Sequence, residues 1–298
     1  MAEASVRWMS TIRYRIIHVT IITLLVAVFA LSCTRPGSES TPTLRLATTT
    51  STEDSGLLEE ILPDFEERNG ASVDVVAVGT GQALTLGEQG DVDIVLVHAP
   101  QREERFIRDG FGVNRQDVMY NDFIIIGPES DFAGVRDAGN AVEAFAHIAS
   151  SRSIFVSRGD QSGTRDKELS IWRNAGTAPE ALTGWYQSLG QGMGETLITA
   201  NEQRAYTFTD RATYLSMRDK LPELAILFGG ETIDQNPDTS LRNPYAVIQV
   251  NPETHPDVNA ELAATFIQWL TSPDVQARIG KFGIEQYGQP LFLPVAAP

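Results

Sequence analysis

The chain has 298 residues, 42% hydrophobic and 21% charged, enough apolar material for one large or two modest folded domains. Its formal net charge is −16, and no basic stripe occurs beyond the first segment, which excludes nucleic acid as an expected partner. Cys33 is the single cysteine, so there is no internal disulfide framework.

Arg7, Arg13 and Arg15 precede an apolar run from Ile16 to Leu31 that ends in Ser32-Cys33. This is the layout of a secretory signal, and residues 1–32 are expected to be removed. The competing reading, a membrane anchor, is weakened by His18, Thr20 and Thr23 inside a run already short for a span of roughly 20 residues. Cys33 after small Ser32 looks like a bacterial lipobox, although Ala30 and Leu31 stand in the less usual order. Residues 33–42, rich in Pro, Gly, Ser and Thr, read as a flexible tether. An acyl chain on Cys33 would hold a water-soluble fold at a membrane.

From Leu44 onward, strand and helix patterns alternate. "LRLAT" predicts a strand, and Leu57, Leu58, Ile61, Leu62 and Phe65 fall at helical spacing. Pro63 predicts a kink or restart in that helix. "SVDVVAV" predicts a strand, "GTG" a turn, and "QALTLGEQG" a helix. "VDIVLVH" is a nearly continuous apolar strand, as in a parallel sheet covered on both faces. A second unit begins near Asn121 with "DFIIIGP". Then "SIFVSRGDQSGTRDKELSIW" predicts strand, loop and helix, and "LAILFGG" a further strand. "PYAVIQVNP" predicts another strand. The long helical stretch after it breaks at "SPDV", where Pro suits a first helical turn. The pattern defines an α/β protein with parallel strands. One domain is expected over 43–122 plus 243–298 and a second over 123–242, with two crossovers between them. Ligand sites favour such clefts and the carboxyl ends of parallel strands.

Three stretches share one design, a strand, then small or hydroxyl residues, then a helix: "ATTTSTEDSG", "VGTGQA" and "SRGDQSGTRDKE". A helix start leaves backbone N–H groups without internal partners and attracts anions. Hydroxyls add donors that rotate to suit a ligand. Gly79, Gly81, Gly159 and Gly163 allow close backbone approach, and Arg158 is the fixed cation among them. Each piece alone reads as a helix cap or tight turn, with Ser51 and Asp54 as a loose capping box. Together they point to an oxyanion cleft. Asp54, Asp160 and Asp166 are expected to hold backbone N–H groups or Arg158.

Competing chemistries are few. His98, His147 and His255 are too scattered for a metal cluster, and no Walker A pattern occurs. "GDQSGT" is not a nucleophile elbow, because no Gly lies two residues before Ser162. A phosphate- or sulfate-ester hydrolase using Ser162 stays open, as does a sensor on the same fold.

The motifs "ATTTSTEDSGLLEEILPDFEERNG", "VAVGTGQAL", "GDVDIVLVHAP", "VMYNDFIIIGP", "FVSRGDQSGTRDKEL", "GWYQSLGQGMGETL", "AYTFTDRATY" and "NPYAVIQVNP" occur together and in order. As a set they resemble the substrate-binding proteins of bacterial tungstate ABC importers, from Leu44 to Phe292. The resemblance implies a type II periplasmic-binding-protein fold, in which two α/β domains close on a ligand. It implies a non-enzymatic, cofactor-free monomer that captures tungstate outside the cytoplasm and delivers it to a membrane permease. Molybdate, phosphate and sulfate are the alternative anions. Carried onto this sequence, the ligand donors are Thr49, Thr50 and Ser51 from one domain and Arg158, Ser162, Gly163 and Thr164 from the other. Thr80, Gly81 and His98 match further positions. Thr48 then ends the strand, and Thr52 begins the helix facing outward.

Overall fold

The computed structural model describes residues 41–179 and 184–295. The signal-like segment, Cys33 and nearly all of the tether lie outside the described residues.

Strands β1 (Thr43–Thr49), β2 (Ser72–Val78) and β3 (Ile94–Val97) are parallel, with β1 between the other two. Each runs into a helix. These are α1 (Thr50–Asp54) and α2 (Leu57–Asn69) after β1, α3 (Thr80–Gln89) after β2, and α4 (Pro100–Arg108) after β3. Leu57, Leu58, Ile61, Leu62 and Phe65 of α2 face the core with Leu44 and Leu46 of β1. Pro63 does not break this helix, which is continuous from Leu57 to Asn69. Pro63 sits on the exposed face, where the carbonyl that lost its donor can turn to water. The break comes earlier, at Gly56, whose φ of 79° ends α1 and starts α2.

Strand β4 (Gly112–Pro128) is 17 residues long and serves two sheets. Up to Asp122 it pairs antiparallel with β9 (Arg242–Val250), in a ladder from Gly112↔Val250 to Asp122↔Arg242. From Phe123 onward it pairs instead with β7 (Tyr206–Asp210) and β8 (Leu224–Phe228). In that second sheet β5 (Phe155–Ser157) lies parallel between β6 (Tyr186–Ser188) and β7. The strand order is β2-β1-β3-β9-β4-β7-β5-β6. The sheets are therefore mixed. The expected parallel strands are present in each lobe, but β4 and β9 run antiparallel because the chain crosses the seam once in each direction.

Helices α5 (Ala141–Ser151), α6 (Gly163–Asn174), α7 (Met193–Gln203) and α8 (Arg211–Met217) cover the second sheet. Its core is aromatic: Phe145, Phe155, Trp172 and Phe208 meet at centroid distances of 4.4–5.8 Å. Near the C-terminus, α9 (Ala260–Leu270) gives way to α10 (Pro273–Ile279) at Ser272, with Pro273 in the first turn as the sequence predicts. Helix α11 (Ile284–Tyr287) and β10 (Leu293–Pro294) follow, and β10 returns to pair with β4.

The crossover is fastened by a buried ion pair. Arg211, fully buried, donates from Nε to Asp122 Oδ1 at 2.7 Å and from Nη2 to Oδ2 at 2.6 Å. Its Nη1 and Nη2 also donate to the carbonyls of Gly230 and Gly229, and Asn236 donates to Asp122 Oδ2 at 2.8 Å. Removing one partner leaves an uncompensated buried charge. Arg211→Ala should therefore lose about 3–5 kcal/mol of unfolding free energy, measured by urea denaturation.

Candidate functional site

The first donor loop lies where β1 turns into α1. Thr49 caps the helix: its Oγ1 accepts from Thr52 N–H at 3.3 Å and lies 3.1 Å from Ser51 Oγ and 2.7 Å from Thr52 Oγ1. The cap is thus Thr49 rather than the expected Ser51–Asp54 box, because β1 extends one residue further than "LRLAT" suggests. Thr52 is fully buried; the expectation that it faces outward is wrong, since its hydroxyl closes the hydrogen-bonded ring with Thr49. Thr48 spends its hydroxyl on the Leu96 carbonyl at 2.9 Å. Ser51 is buried beside the Tyr245 phenol, and Thr50 is half-buried.

The second loop joins β5 to α6. Arg158 is 3% exposed. Its Nε and Nη2 donate to both oxygens of Asp160, at 2.8 and 2.7 Å, and its Nη1 makes no hydrogen bond among the described residues. The bend after Arg158 needs Gly159: its φ is 70°, and a Cβ there would collide with Ser188 Oγ. Ser162 caps α6 by accepting from Arg165 N–H at 3.1 Å. Among the described residues this is the only hydrogen bond of the Ser162 hydroxyl. Thr164, in the first turn of α6, is fully buried, and its Oγ1 has no partner among the described residues.

The second loop meets the starts of α3 and α4 across the seam. Gly163 N–H donates to Thr80 Oγ1 at 3.3 Å, and Gly81 N–H to the Gln161 carbonyl at 3.2 Å. Arg102 of α4 reaches Asp166 of α6 through Nε at 2.6 Å and Nη2 at 2.9 Å, and Gln161 O through Nη1 at 3.3 Å. Of the three aspartates read as holding backbone or Arg158, only Asp160 clamps Arg158; Asp166 belongs to Arg102. Asp54 is raised above the usual carboxylate range, first by burial and then by Glu195, with Arg158 opposing.

Behind the loops lies a polar network that sequence reasoning missed. Asn243 Nδ2 donates to Asn121 Oδ1 at 2.8 Å, and Asn121 Nδ2 to Asp210 Oδ1 at 3.2 Å. Asn121 and Asn243 are register partners on β4 and β9. Asp210 caps α8, accepting from Thr213 N–H at 2.9 Å and Thr213 Oγ1 at 2.7 Å. Burial raises its carboxyl, while the Thr213 donors and Arg158 pull it back. "TFTD" at a strand end carried the capping signal for Asp210. Nothing local marked Asn121 and Asn243 as partners across 122 residues.

His98 stacks on Tyr245 at a centroid distance of 4.6 Å, and its Nδ1 is 2.9 Å from Asn243 Oδ1. Because that oxygen only accepts, Nδ1 carries the proton. Burial, with a smaller push from Arg158, lowers the imidazole to about 4 despite the Asn243 bond. A cavity of about 710 Å³ runs alongside. Gly81, His98 and Gly163 line it, whereas Thr49, Ser51, Arg158 and Ser162 are buried and do not. The structure thus gathers Thr49, Ser51 and Tyr245 into one cluster, and Thr80, Gly81, His98 and Gly163 into the seam beside it. Arg158 acts electrostatically on His98, Asp210 and Asp54.

Two α/β lobes on a shared strand, with donor loops at the carboxyl ends of their parallel strands, form the architecture of periplasmic binding proteins. The chain belongs to that superfamily: the family described as "PBP superfamily domain" matches residues 36–274. It is 47% identical over 254 residues to a protein named as tungstate-binding in Peptoclostridium acidaminophilum, covering 85% of each chain. Among solved structures, the tungstate ABC transporter protein of Geobacter sulfurreducens is 49% identical with a TM-score of 0.72, covering 80% of this chain and 98% of that one. The tungstate-binding protein of Desulfovibrio alaskensis G20 is 44% identical with a TM-score of 0.72, covering 86% and 100%.

The low value for His98 predicts a definite pH behaviour. In the folded protein the ring stays neutral down to about 4, whereas in the unfolded chain it protonates near 6.5. Stability tied to His98 is thus intact above 6.5 and is lost as pH falls toward 4. Imidazole NMR of the folded protein should show His98 unprotonated at pH 5.5, with the proton on Nδ1.

Proposed function

We propose that this chain captures tungstate outside the cytoplasm and delivers it to the permease of an ABC importer. The observation that carries the reading is a pair of buried donors in the β5–α6 segment: Arg158, clamped by Asp160 through Nε and Nη2, and Thr164, whose hydroxyl has no partner among the described residues. The names of the relatives agree with it. Thr49, Thr50 and Ser51 would donate from one lobe, and Arg158, Ser162, Gly163 and Thr164 from the other. Thr80 and Gly81 close the seam, and His98 supports it from behind.

The chemistry is binding alone. Tungstate is a dianion without a proton near neutral pH, so it needs donors and no acceptor. Both oxygens of Asp210 are taken up by Thr213 and Asn121, and both oxygens of Asp160 by Arg158. These two carboxylates are therefore occupied as acceptors and offer none to a protonated anion's O–H. The lobes, 43–122 plus 243–298 and 123–242, would part about the two crossovers. Parting them breaks the Arg102–Asp166 pair and the Gly163–Thr80 hydrogen bond. In this reading residues 1–32 are a signal, 33–42 a tether with Cys33 lipidated, and the receptor a monomer and not an enzyme.

Calorimetry with tungstate, molybdate, sulfate and phosphate tests the reading. Tungstate should bind, and phosphate and sulfate much more weakly. Absence of tungstate binding, or a preference for phosphate, would overturn it. Arg158→Ala should cost about 1.5–3 kcal/mol of binding, as for a charge-assisted hydrogen bond. Thr164→Val should cost about 0.5–1.5 kcal/mol, while Thr48→Val, whose hydroxyl is spent on β3, should leave affinity unchanged.

A further inference from the structure

The cavity beside the donor nest opposes the charge of the rest of the chain. It is lined by five cations, Arg102, Arg105, Lys167, Arg173 and Arg242, and by two carboxylates, Glu88 and Asp166, in a chain of net charge −16. Arg102 is matched to Asp166, and Lys167 donates to the Ser240 carbonyl. Most described arginines have a carboxylate within 4.0 Å. Arg105, Arg173 and Arg242 have none among the described residues, and all three are exposed. Arg242 lies over the Tyr120 ring at 5.4 Å, which orients its charge without neutralising it.

The same cavity is lined by His98, Gly163 and Asn243. Gly163 lies between Ser162 and Thr164, so the wall of the groove and the proposed donors of the β5–α6 segment are one stretch of chain. The groove also follows the seam that Arg102 and Asp166 bridge.

We propose that this groove is an electrostatic antechamber, in which Arg105, Arg173 and Arg242 collect a divalent tetrahedral oxyanion and guide it toward Arg158. The proposal rests on the reading of the chain as an oxyanion receptor. A dianion approaching the protein meets net repulsion, but salt screens that field beyond roughly 8–10 Å. Inside that distance the unmatched cations dominate, and the low-dielectric walls of a groove focus their field. Exposed guanidinium groups hold the ion only weakly, which suits a relay. These arginines therefore act on the rate of capture and not on retention.

The test mixes nanomolar protein with tungstate and follows protein-bound metal by rapid filtration and mass spectrometry. Wild-type binding is measured first, and its absence would overturn the receptor reading itself. The triple variant Arg105→Gln, Arg173→Gln, Arg242→Gln should then associate about tenfold more slowly at low salt. Its dissociation rate should match wild type, and the gap should close at high salt. A control, Arg152→Gln, Arg218→Gln, Lys220→Gln, removes the same charge from exposed positions that do not line the groove and should associate like wild type. The antechamber is overturned if the groove variant associates within about twofold of wild type at low salt. Equal slowing in the control, or a change confined to dissociation, would also overturn it.

Discussion

One strand belongs to both halves of this molecule. Strand β4 changes partners between Asp122 and Phe123, and β9 lies antiparallel to it only as far as Arg242. Two sheets that share a continuous strand have their orientation set by that strand's path. As a result the segments after β2, β3 and β5 contact one another, at Thr80, Gly81, His98 and residues 161–163. The buried Arg211–Asp122 pair and the Asn121–Asn243 hydrogen bond sit at this junction. The donor nest is therefore a consequence of strand pairing, and each loop supplies only local chemistry.

The electrostatics follow the same economy. An acidic protein can hold a dianion only if charge near the site is spent carefully. Here His98 is neutral, Asp160 orients a cation, and Asp210 has both oxygens occupied by donors. In the proposed receptor this leaves a ligand one guanidinium edge and a set of neutral donors, whose dipoles would attract an anion without a large desolvation penalty.

Local patterns carried much of this in the sequence. The strand-hydroxyl-helix motif located the capped helix starts at Thr49 and Ser162, because capping chemistry is written within three or four residues. The break at Ser272-Pro273 was legible for the same reason. Pro63 misled because its effect depends on which face of α2 it occupies, and that is decided by packing. Thr52 misled because a run of hydroxyls has no polarity of its own. Its inward turn depends on Thr49 capping one residue beyond the expected strand end. The partnership of Asp166 with Arg102, and of Asn121 with Asn243, joins residues 64 and 122 apart; no periodicity encodes such pairs.

The fit at Gly163 sets a tolerance on the whole receptor. A Cβ at that position would stand 2.9 Å from the His98 carbonyl oxygen, a backbone atom that cannot swing aside as a flexible side chain can. The seam thus closes to a margin narrower than one methyl group. If the lobes close as proposed, alanine at this residue would act as a doorstop, holding them ajar while leaving the hydroxyls and Arg158 unchanged. Recognition and closure would then come apart, with a single hydrogen atom in the native protein letting the door shut.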